Sequence, residues 1–230
     1  MELSIDTSTR FASLALSIQG KTTAELAWKS EQNHSVEFVP ALRQLMELVK
    51  VNIDNIEAIF VAKGPGRFSA LRVGLSIAKS LAMAQSIPLV AINTLDVEAQ
   101  PYLELGFPVC SVIEANRSNL YAAIYEADKV NMEVDYIVES NERLISIVPK
   151  KTLFCGEAAH TMTDFLTQDM AKNGFSIMKT TFPTRRAGVM ANLGYQRLQA
   201  MDTDDLEKLQ PLYISGSQFE VANNSELKEG

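Results

Sequence analysis

Three polar turns, each following an apolar segment, carry the residues whose types could do chemistry. The first turn contains Asp6, Thr7 and Ser8, and the second begins at Glu114. Asp6 and Glu114 are candidate carboxylates for general acid–base catalysis, while the two hydroxyls could donate hydrogen bonds to a phosphate. Alternatively, these side chains cap or tie their own hairpins, as such residues often do in turns. Both interpretations stay open at this point.

The third turn is a Gly- and Pro-rich loop between a predicted buried strand and a predicted helix. Gly64 and Gly66 can adopt a positive φ, and Pro65 fixes its own φ, so a tight and stiff turn is predicted. Ser69 is placed to cap the helix that follows, and free amides at a helix start can bind an anion. The loop has neither the Gly-Lys-Ser/Thr ending of a P-loop nor G-x-G-x-x-G spacing. It is therefore either a structural turn or a ligand- or partner-binding turn.

Several metal and nucleophile chemistries are excluded by the residues available. His34 and His160 are the only histidines, and they lie too far apart for an H-E-x-x-H metalloprotease motif. Cys110 and Cys155 are the only cysteines and form no C-x-x-C pair, which argues against a zinc ribbon and a disulfide framework. The G-x-S-x-G elbow of a serine hydrolase is absent. We expect no bound metal.

Composition and charge limit the partners of the chain. Its 230 residues are 47% hydrophobic and 21% charged, which is typical of a globular protein of one or two domains. The net charge of −7 leaves no positive excess to bind a phosphate backbone, so another subunit would contact any nucleic acid. No apolar run approaches the ~18 residues of a membrane span, and the acidic N-terminus is unlike a signal peptide. We expect a cytoplasmic protein that does not bind membranes.

The elements that position the turns follow from the spacing of apolar residues, which alternate in strands and recur every three or four residues in helices. Strands are predicted at residues 3–6, 12–18, 22–28, 57–62, 88–92, 109–114, 120–125, 132–138 and 152–155. Helices are predicted at 35–49, 69–85, 94–105, 158–172 and 185–201. Hairpins, parallel crossovers and helices in this order favour an α/β fold. Gly106 and Pro108 interrupt the pattern and indicate a domain boundary near 101–108.

The predicted helix at 69–85 has small residues on one side and little charge. These small residues recur every four positions: Ala70, Gly74, Ala78 and Ala82. Such a stripe lets another element come close, and a helix that is apolar nearly all round is buried on more than one face. The stripe either packs on the chain's own sheet or contacts a partner. We predict that this helix and the helix at 35–49 associate with a partner.

Six short segments form an ordered set of family motifs. Residues 64–74 match a GPGSFTGLRxG signature, with Arg67 in place of Ser and Ala70 in place of Gly. The other segments are 5–9 (IDTST), 34–40 (H-x(5)-P), 87–90 (IPLV), 114–121 (D-A-R-x-x-x-x-Y, with Glu114 for Asp) and 211–213 (the start of PxYLR). Together they resemble the TsaB family, bacterial proteins that act in making threonylcarbamoyladenosine in tRNA. The resemblance spans roughly residues 1–213.

The resemblance implies an actin-like ATPase fold with two lobes, each a mixed sheet flanked by helices. The N-terminal lobe would contain residues 1–103 and be joined by the C-terminal helix at about 185–204. The C-terminal lobe would contain residues 104–184, and residues 215–230 would form a flexible tail.

The resemblance also implies kinship with TsaD, the catalytic subunit, whose metal is held by two histidines four residues apart. Thr94 and Glu98 stand at those positions here, which make a poor metal site. The turns at Asp6 and Glu114 lack the glycines that let amides approach a nucleotide phosphate. No cofactor is expected, and ATP or ADP is considered only at the interface with a partner subunit. The residues interpreted as structural loops or a degenerate ligand site are Asp6, Thr7, Ser8, Gly64, Gly66 and Glu114.

The function implied by the resemblance is that of a non-catalytic subunit that dimerises with a TsaD-like transferase and supports it. A TsaE-like ATPase would join a larger complex, the isolated chain would form a homodimer, and tRNA would be contacted only indirectly. The predicted partner interface consists of His34, Val39, Leu42, Ala70, Arg72, Gly74 and Ala78. The alternative is an active ATPase, kinase or glycoprotease-like peptidase of the same fold, which would need the glycines and histidines that are absent.

Overall fold

Two compact units make up the protein. The structure, a computed structural model, describes residues 1–31, 34–127, 135–163, 173–179 and 181–214. The first unit contains Met1–Pro101 and Thr180–Leu212, and the second contains Tyr102–Lys179 and Tyr213–Gly230. Each unit is built on a five-stranded mixed sheet, in agreement with the predicted α/β class. The tail predicted at 215–230 lies outside the described residues.

The sheet of the first unit begins with an antiparallel meander and continues with two parallel crossovers. Its strands are β1 (Glu2–Asp6), β2 (Phe11–Ile18), β3 (Lys21–Lys29), β4 (Ala58–Gly64) and β5 (Leu89–Asn93). Their spatial order is β3-β2-β1-β4-β5, with β2 antiparallel and β4 parallel to β1. Ile5 of β1 pairs with Leu14 on one side and Val61 on the other, so β1 is the central strand.

Helices cover both faces of this sheet. The α-helices among the described residues are α1 (His34–Val49), α2 (Phe68–Gln85), α3 (Thr94–Ala99), α4 (Asn141–Ile147) and α5 (Ala187–Gln199). Ile59 of β4 belongs to a core cluster with Phe38 of α1 and Leu75 of α2. The next residue, Phe60, belongs to a different cluster with Met190 of α5. This alternation, which strand geometry imposes, puts the sheet between two helical layers.

The small residues of α2 face the chain's own sheet. Ala70, Gly74 and Ala78 are buried, and a Cβ added to Gly74 would lie 2.4 Å from Oγ1 of Thr7. Small side chains let the backbone of α2 approach β1 and β4 closely. These three residues therefore pack inside the unit, and their predicted contact with a partner stays a prediction. Leu42 of the same predicted interface is likewise buried, beneath α1.

The second unit repeats the plan of a meander followed by parallel strands. Its strands are β6 (Val109–Glu114), β7 (Asn119–Tyr125), β8 (Asp135–Ser140), β9 (Leu153–Cys155) and β10 (Ser176–Ile177), in the order β10-β9-β6-β7-β8. Leu144 of α4 packs with Val112 and Phe154 in the core of this unit. Within the described ranges, every helix is too short or too polar to cross a bilayer.

Some elements differ from those predicted. The helix predicted at 94–105 consists of α3 followed by the 3₁₀ helix Gln100–Leu105, because Pro101 lacks the N–H that an α-helix needs there. Of the helix predicted at 158–172, the structure describes a 3₁₀ helix at Ala159–Met162, and most of the remainder lies outside the described residues. The short elements α4 and β10 were not predicted, since a few residues carry little periodicity.

Gly194→Ala tests the close packing of α5 on the sheet. A Cβ at Gly194 would lie 2.3 Å from Cγ of the fully buried Phe60 ring. Although alanine gains about 1 kcal/mol in helix propensity, we expect a net loss of roughly 1–3 kcal/mol in the free energy of unfolding. Urea unfolding measures this loss, and Asn192→Ala, at an exposed position of the same helix, is the matched control. Equal stability of the two variants would contradict the expected overpacking.

Candidate functional site

The turn after β1 is held by the carboxylate of Asp6. Its Oδ1 atom accepts hydrogen bonds from the Ser8 amide at 2.8 Å and from the Ser8 hydroxyl at 2.5 Å. Its Oδ2 atom accepts a hydrogen bond from Nε of Arg185 at 2.9 Å. All three residues are buried. Asp6 therefore ties its own turn and pairs with an arginine, and it is not exposed as a general acid or base.

Arg185 connects Asp6 to a second carboxylate. Nη1 of Arg185 donates to Oε1 of Glu98 at 2.9 Å, and Nη2 donates to Oγ1 of Thr9 at 2.7 Å. The Thr184 hydroxyl also donates to Oε1 of Glu98, at 2.7 Å. The side chains of Arg185, Asp6 and Glu98 are only 2%, 2% and 1% exposed. We call these five residues the Arg185 cluster, in which one guanidinium bridges two carboxylates with little access for water.

Three chain segments position the Arg185 cluster. β1 ends at Asp6, α3 contains Glu98, and the segment before α5 contains Arg185. In that last segment, Phe182 stacks on Phe11 of β2 with the ring centroids 5.2 Å apart. This stacking fixes the path of the chain into α5. Because the three segments are far apart in sequence, only the folded sheet brings their charges together.

Sequence reasoning missed Arg185, although one signal was available. Arg185 and Arg186 are adjacent at the start of α5, where the helix dipole disfavours cations. Two arginines at that position indicate carboxylate partners, but they do not identify them. In the structure Arg186 pairs with Glu25 of β3 at 2.6 Å, and the Arg186 side chain is 61% exposed. Arg185 pairs instead with Asp6 and Glu98 inside the first unit.

Thr94 and Glu98 stand where the resemblance to TsaD would place two metal-binding histidines, and they do not form a metal site here. Glu98 is paired with Arg185, and the hydroxyl of Thr94 is buried without a hydrogen-bond partner among the described residues. A guanidinium beside two carboxylates repels any incoming metal ion. In the described part of the chain, no group of three or more His, Cys, Asp or Glu could hold a metal. The residues present therefore do not fit the metal that the resemblance would bring.

The Gly-Pro-Gly loop packs directly against the first turn. Gly64 adopts a φ of +111°, as glycine readily does. A Cβ on Gly66 would lie 2.2 Å from the carbonyl oxygen of Ser8. The same oxygen accepts a hydrogen bond from the Arg67 amide at 2.7 Å. Glycine at 66 is thus required for contact between the loop and the turn, which favours the structural interpretation of both.

The start of α2 differs from the prediction. The helix begins at Phe68, and Arg67 is its extended N-cap residue without a side-chain cap, so Ser69 is not the cap. The hydroxyl of Thr7 donates to the carbonyl of Ala70 at 2.7 Å. Thr7 therefore holds the first turn of α2 against the end of β1. Its hydroxyl donates within the protein and is not directed at a phosphate.

Glu114 ends β6 in the second unit and is exposed. The turn that follows is organised by Asn116, whose Oδ1 accepts hydrogen bonds from the amides of Ser118 at 2.9 Å and Asn119 at 3.0 Å. This is an ordinary side-chain-supported turn. Its geometry depends on Asn116, and the carboxylate of Glu114 takes no part in these hydrogen bonds.

His34 opens α1 and is buried, in contrast to its predicted place in a partner interface. Its Nδ1 atom has no hydrogen-bond partner among the described residues. Burial lowers the pKa of the imidazole, and this effect exceeds the opposing influence of Thr9 and of the Glu37 and Asp6 carboxylates. His34 is therefore neutral at physiological pH.

The outward side of α1 and α2 exposes large apolar side chains. Val36 and Val39 of α1 are 63% and 65% exposed, and Phe68 and Met83 of α2 are 52% and 64% exposed. The guanidinium carbon of Arg72 lies 3.7 Å from the centroid of the Phe68 ring. We call these five residues the outer helix face. Apolar residues and arginine exposed on neighbouring helices are typical of a protein–protein interface.

Known relatives match this chain in sequence. The family model TsaD, described as tRNA N6-adenosine threonylcarbamoyltransferase, matches residues 28–223. The chain is 31% identical over 124 residues to the tRNA threonylcarbamoyladenosine biosynthesis protein TsaB of Bacillus subtilis. That match covers 54% of this chain and 54% of the relative, so the chain spans about half the length of the relative it matches.

Solved structures share the fold. YeaZ from Pseudomonas aeruginosa matches with a TM-score of 0.72 and 22% identity, covering 93% of this chain and 99% of that chain. The activator of the 2-hydroxyisocaproyl-CoA dehydratase from Clostridium difficile, solved with bound ADPNP, matches with a TM-score of 0.50 and 9% identity, covering 87% and 96% of the two chains. At these identities the likeness concerns the fold alone.

The two mixed sheets flanked by helices define a protein of the actin-like ATPase fold class, as predicted. The model match covers far more than half of the sequence. The chain therefore belongs to the TsaD family, and its sequence is similar to that of TsaB proteins. The resemblance read from the six sequence segments is thereby confirmed.

His34→Gln tests the effect of the buried imidazole on stability at different pH values. The pKa of His34 is lowered in the folded state from its ordinary value of 6.5, so the unfolded state takes up the proton first as the pH falls. The contribution of neutral His34 to the free energy of unfolding is therefore present above about pH 6.5, and it decreases as the pH falls below that value. We therefore expect wild type to lose more stability than His34→Gln between about pH 7.5 and about pH 5.5.

Urea unfolding at each pH measures this difference, and His160→Gln, at an exposed position, is the control. The control variant should follow the wild-type pH profile. Identical profiles for wild type and His34→Gln would mean that the imidazole binds protons equally in both states.

Proposed function

We propose that this chain is a non-catalytic subunit in the synthesis of threonylcarbamoyladenosine in tRNA, where it binds and supports a TsaD-like transferase. Membership of the TsaD family and the likeness to TsaB support the biosynthetic role. The observation that carries the non-catalytic role is the Arg185 cluster, in which Asp6 and Glu98 are both paired internally. Two carboxylates held in this way are not available for catalysis.

The first turn and the Gly-Pro-Gly loop offer few free groups to a nucleotide. The carboxylate of Asp6 pairs with Arg185, and the carbonyl of Ser8 accepts the Arg67 amide. The isolated subunit would therefore use no cofactor, and ATP or ADP would bind only at the interface with a partner subunit. An active ATPase, kinase or peptidase is not favoured, because such an enzyme needs accessible groups to hold phosphate or metal.

The proposed contact with the transferase is the outer helix face. Burial of apolar surface there would stabilise a complex by about 25 cal/mol per Å² removed from water. The exposed Phe68 and Arg72 lie in contact on this face, and aromatic and arginine side chains are enriched in interface cores. When the transferase is absent, a second copy of the chain would cover the same face and form a homodimer.

Other components of the assembly would bind the tRNA. A net charge of −7 supplies no positive excess for a phosphate backbone, so this chain would contact tRNA only indirectly. A TsaE-like ATPase would join the larger complex. We place the assembly in the cytoplasm, where its tRNA substrate is found.

The double variant Val39→Asp/Phe68→Asp tests the interface. A charge at each exposed apolar position would have to be desolvated on binding, so we expect capture of the purified TsaD-like transferase to weaken at least ~30-fold. The matched control is Met201→Asp, which changes an apolar side chain that is 88% exposed beyond the end of α5. Undiminished capture by a double variant that melts like wild type would reject this interface.

Reconstituted tRNA modification tests the biosynthetic role itself. We expect omission of the chain to slow the modification at least about tenfold, which corresponds to ~1.4 kcal/mol of activation free energy. With the double variant, the modification rate should be as slow as without the chain, whereas Met201→Asp should restore the full rate. The chain alone should show neither ATP hydrolysis nor transfer. An unchanged rate without the chain would reject the proposed role, whatever the outcome of the capture experiment.

A further inference from the structure

We propose that Arg185 is an internal cation that takes the place of a divalent metal ion between Asp6 and Glu98. While Arg185 is present, the first unit would exclude divalent metal from these carboxylates. The proposal concerns the interior of the first unit and does not depend on the function proposed above.

Two carboxylates buried in one cluster require a cation. Asp6 and Glu98 are 2% and 1% exposed, so neither charge is adequately hydrated. Like charges in such a site repel each other and favour protonation or collapse of the site. Arg185 removes this conflict because different nitrogen atoms of one guanidinium lie 2.9 Å from each carboxylate.

The described side chains that accept hydrogen bonds from the guanidinium do so through oxygen atoms, which hard metal ions prefer as ligands. They comprise the carboxylates of Asp6 and Glu98 and the hydroxyl of Thr9, all three bonded to Arg185. The hydroxyl of Thr184 adjoins them through its bond to Glu98. Mg²⁺ and Mn²⁺ bind carboxylate and hydroxyl oxygens and complete their coordination with water. The guanidinium and a hydrated divalent ion are thus alternative occupants of one space.

Arg185 also joins chain segments in the way that a structural metal does. It precedes α5, whereas Asp6 ends β1 and Glu98 lies in α3. An exchangeable ion would make this attachment depend on metal supply and on pH, because metal ligands must be deprotonated. A covalently attached guanidinium keeps the attachment under all conditions in which the carboxylates are ionised.

Arg185→Ser opens the space and tests whether metal can replace the guanidinium. Wild type should have the same melting temperature in EDTA and in Mn²⁺, and calorimetric titration should detect no Mn²⁺ at the cluster. The variant should melt well below wild type in EDTA. Mn²⁺ at about a hundredfold above its Kd should raise the melting temperature of the variant by roughly 5–10 °C.

Two further variants separate the metal effect from a general loss of stability. Arg186→Ser removes the neighbouring arginine, whose pair with Glu25 lies at the surface, and should show no response to Mn²⁺. The triple variant Asp6→Asn/Glu98→Gln/Arg185→Met removes all three charges of the Arg185 cluster. In EDTA it should melt above Arg185→Ser, and it should not respond to Mn²⁺.

Two results would overturn the proposal. One is Mn²⁺ binding by wild type that disappears in Glu98→Gln, since the carboxylates would then accept metal beside Arg185. The other is an Arg185→Ser protein whose melting or folding is the same with and without Mn²⁺, since metal then cannot replace the guanidinium. A selective Mn²⁺ response of Arg185→Ser, absent from wild type and Arg186→Ser, supports the proposal.

Discussion

The pairing of one guanidinium with two buried carboxylates determines how the first unit is assembled. Asp6 ends the central strand β1, Glu98 lies in the short helix after β5, and Arg185 precedes the long helix α5. Charges with so little hydration are stable only when they are paired, so the sheet and both helices must adopt one relative arrangement. The same pairing withdraws from solvent the carboxylates that could otherwise serve a metal or a proton transfer.

The inner and outer sides of the helices α1 and α2 make different contacts. Their inner sides pack on the sheet, where the small residues Ala70 and Gly74 permit a close approach to β1 and its turn. Their outer sides expose Val39, Phe68 and Arg72. A unit whose buried carboxylates Asp6 and Glu98 are paired internally, and whose helices expose apolar side chains outward, is suited to support a partner through its shape.

Much of the fold could be predicted from the sequence, because alternation and helical spacing are local properties. The strands of the described residues include every strand predicted up to residue 125, with small shifts at the ends. The short elements α4 and β10 were not predicted, since they carry too few residues to show a period. The helix predicted at 94–105 is 3₁₀ from Gln100 onward, because Pro101 lacks the N–H that an α-helix needs there. Of the candidate site, Asp6, Thr7 and Ser8 were recognised as one turn, but their partners were not.

By itself, the sequence determined the order of the elements, the stiff Gly64–Gly66 loop and the lack of a histidine pair at Thr94 and Glu98. Each of these depends on residues close together in the chain. Only the tertiary structure decided which stripe of α2 is buried and that Arg185 neutralises two carboxylates. Contacts between residues far apart in sequence depend on how the strands pair and the helices dock, and local spacing does not encode that geometry.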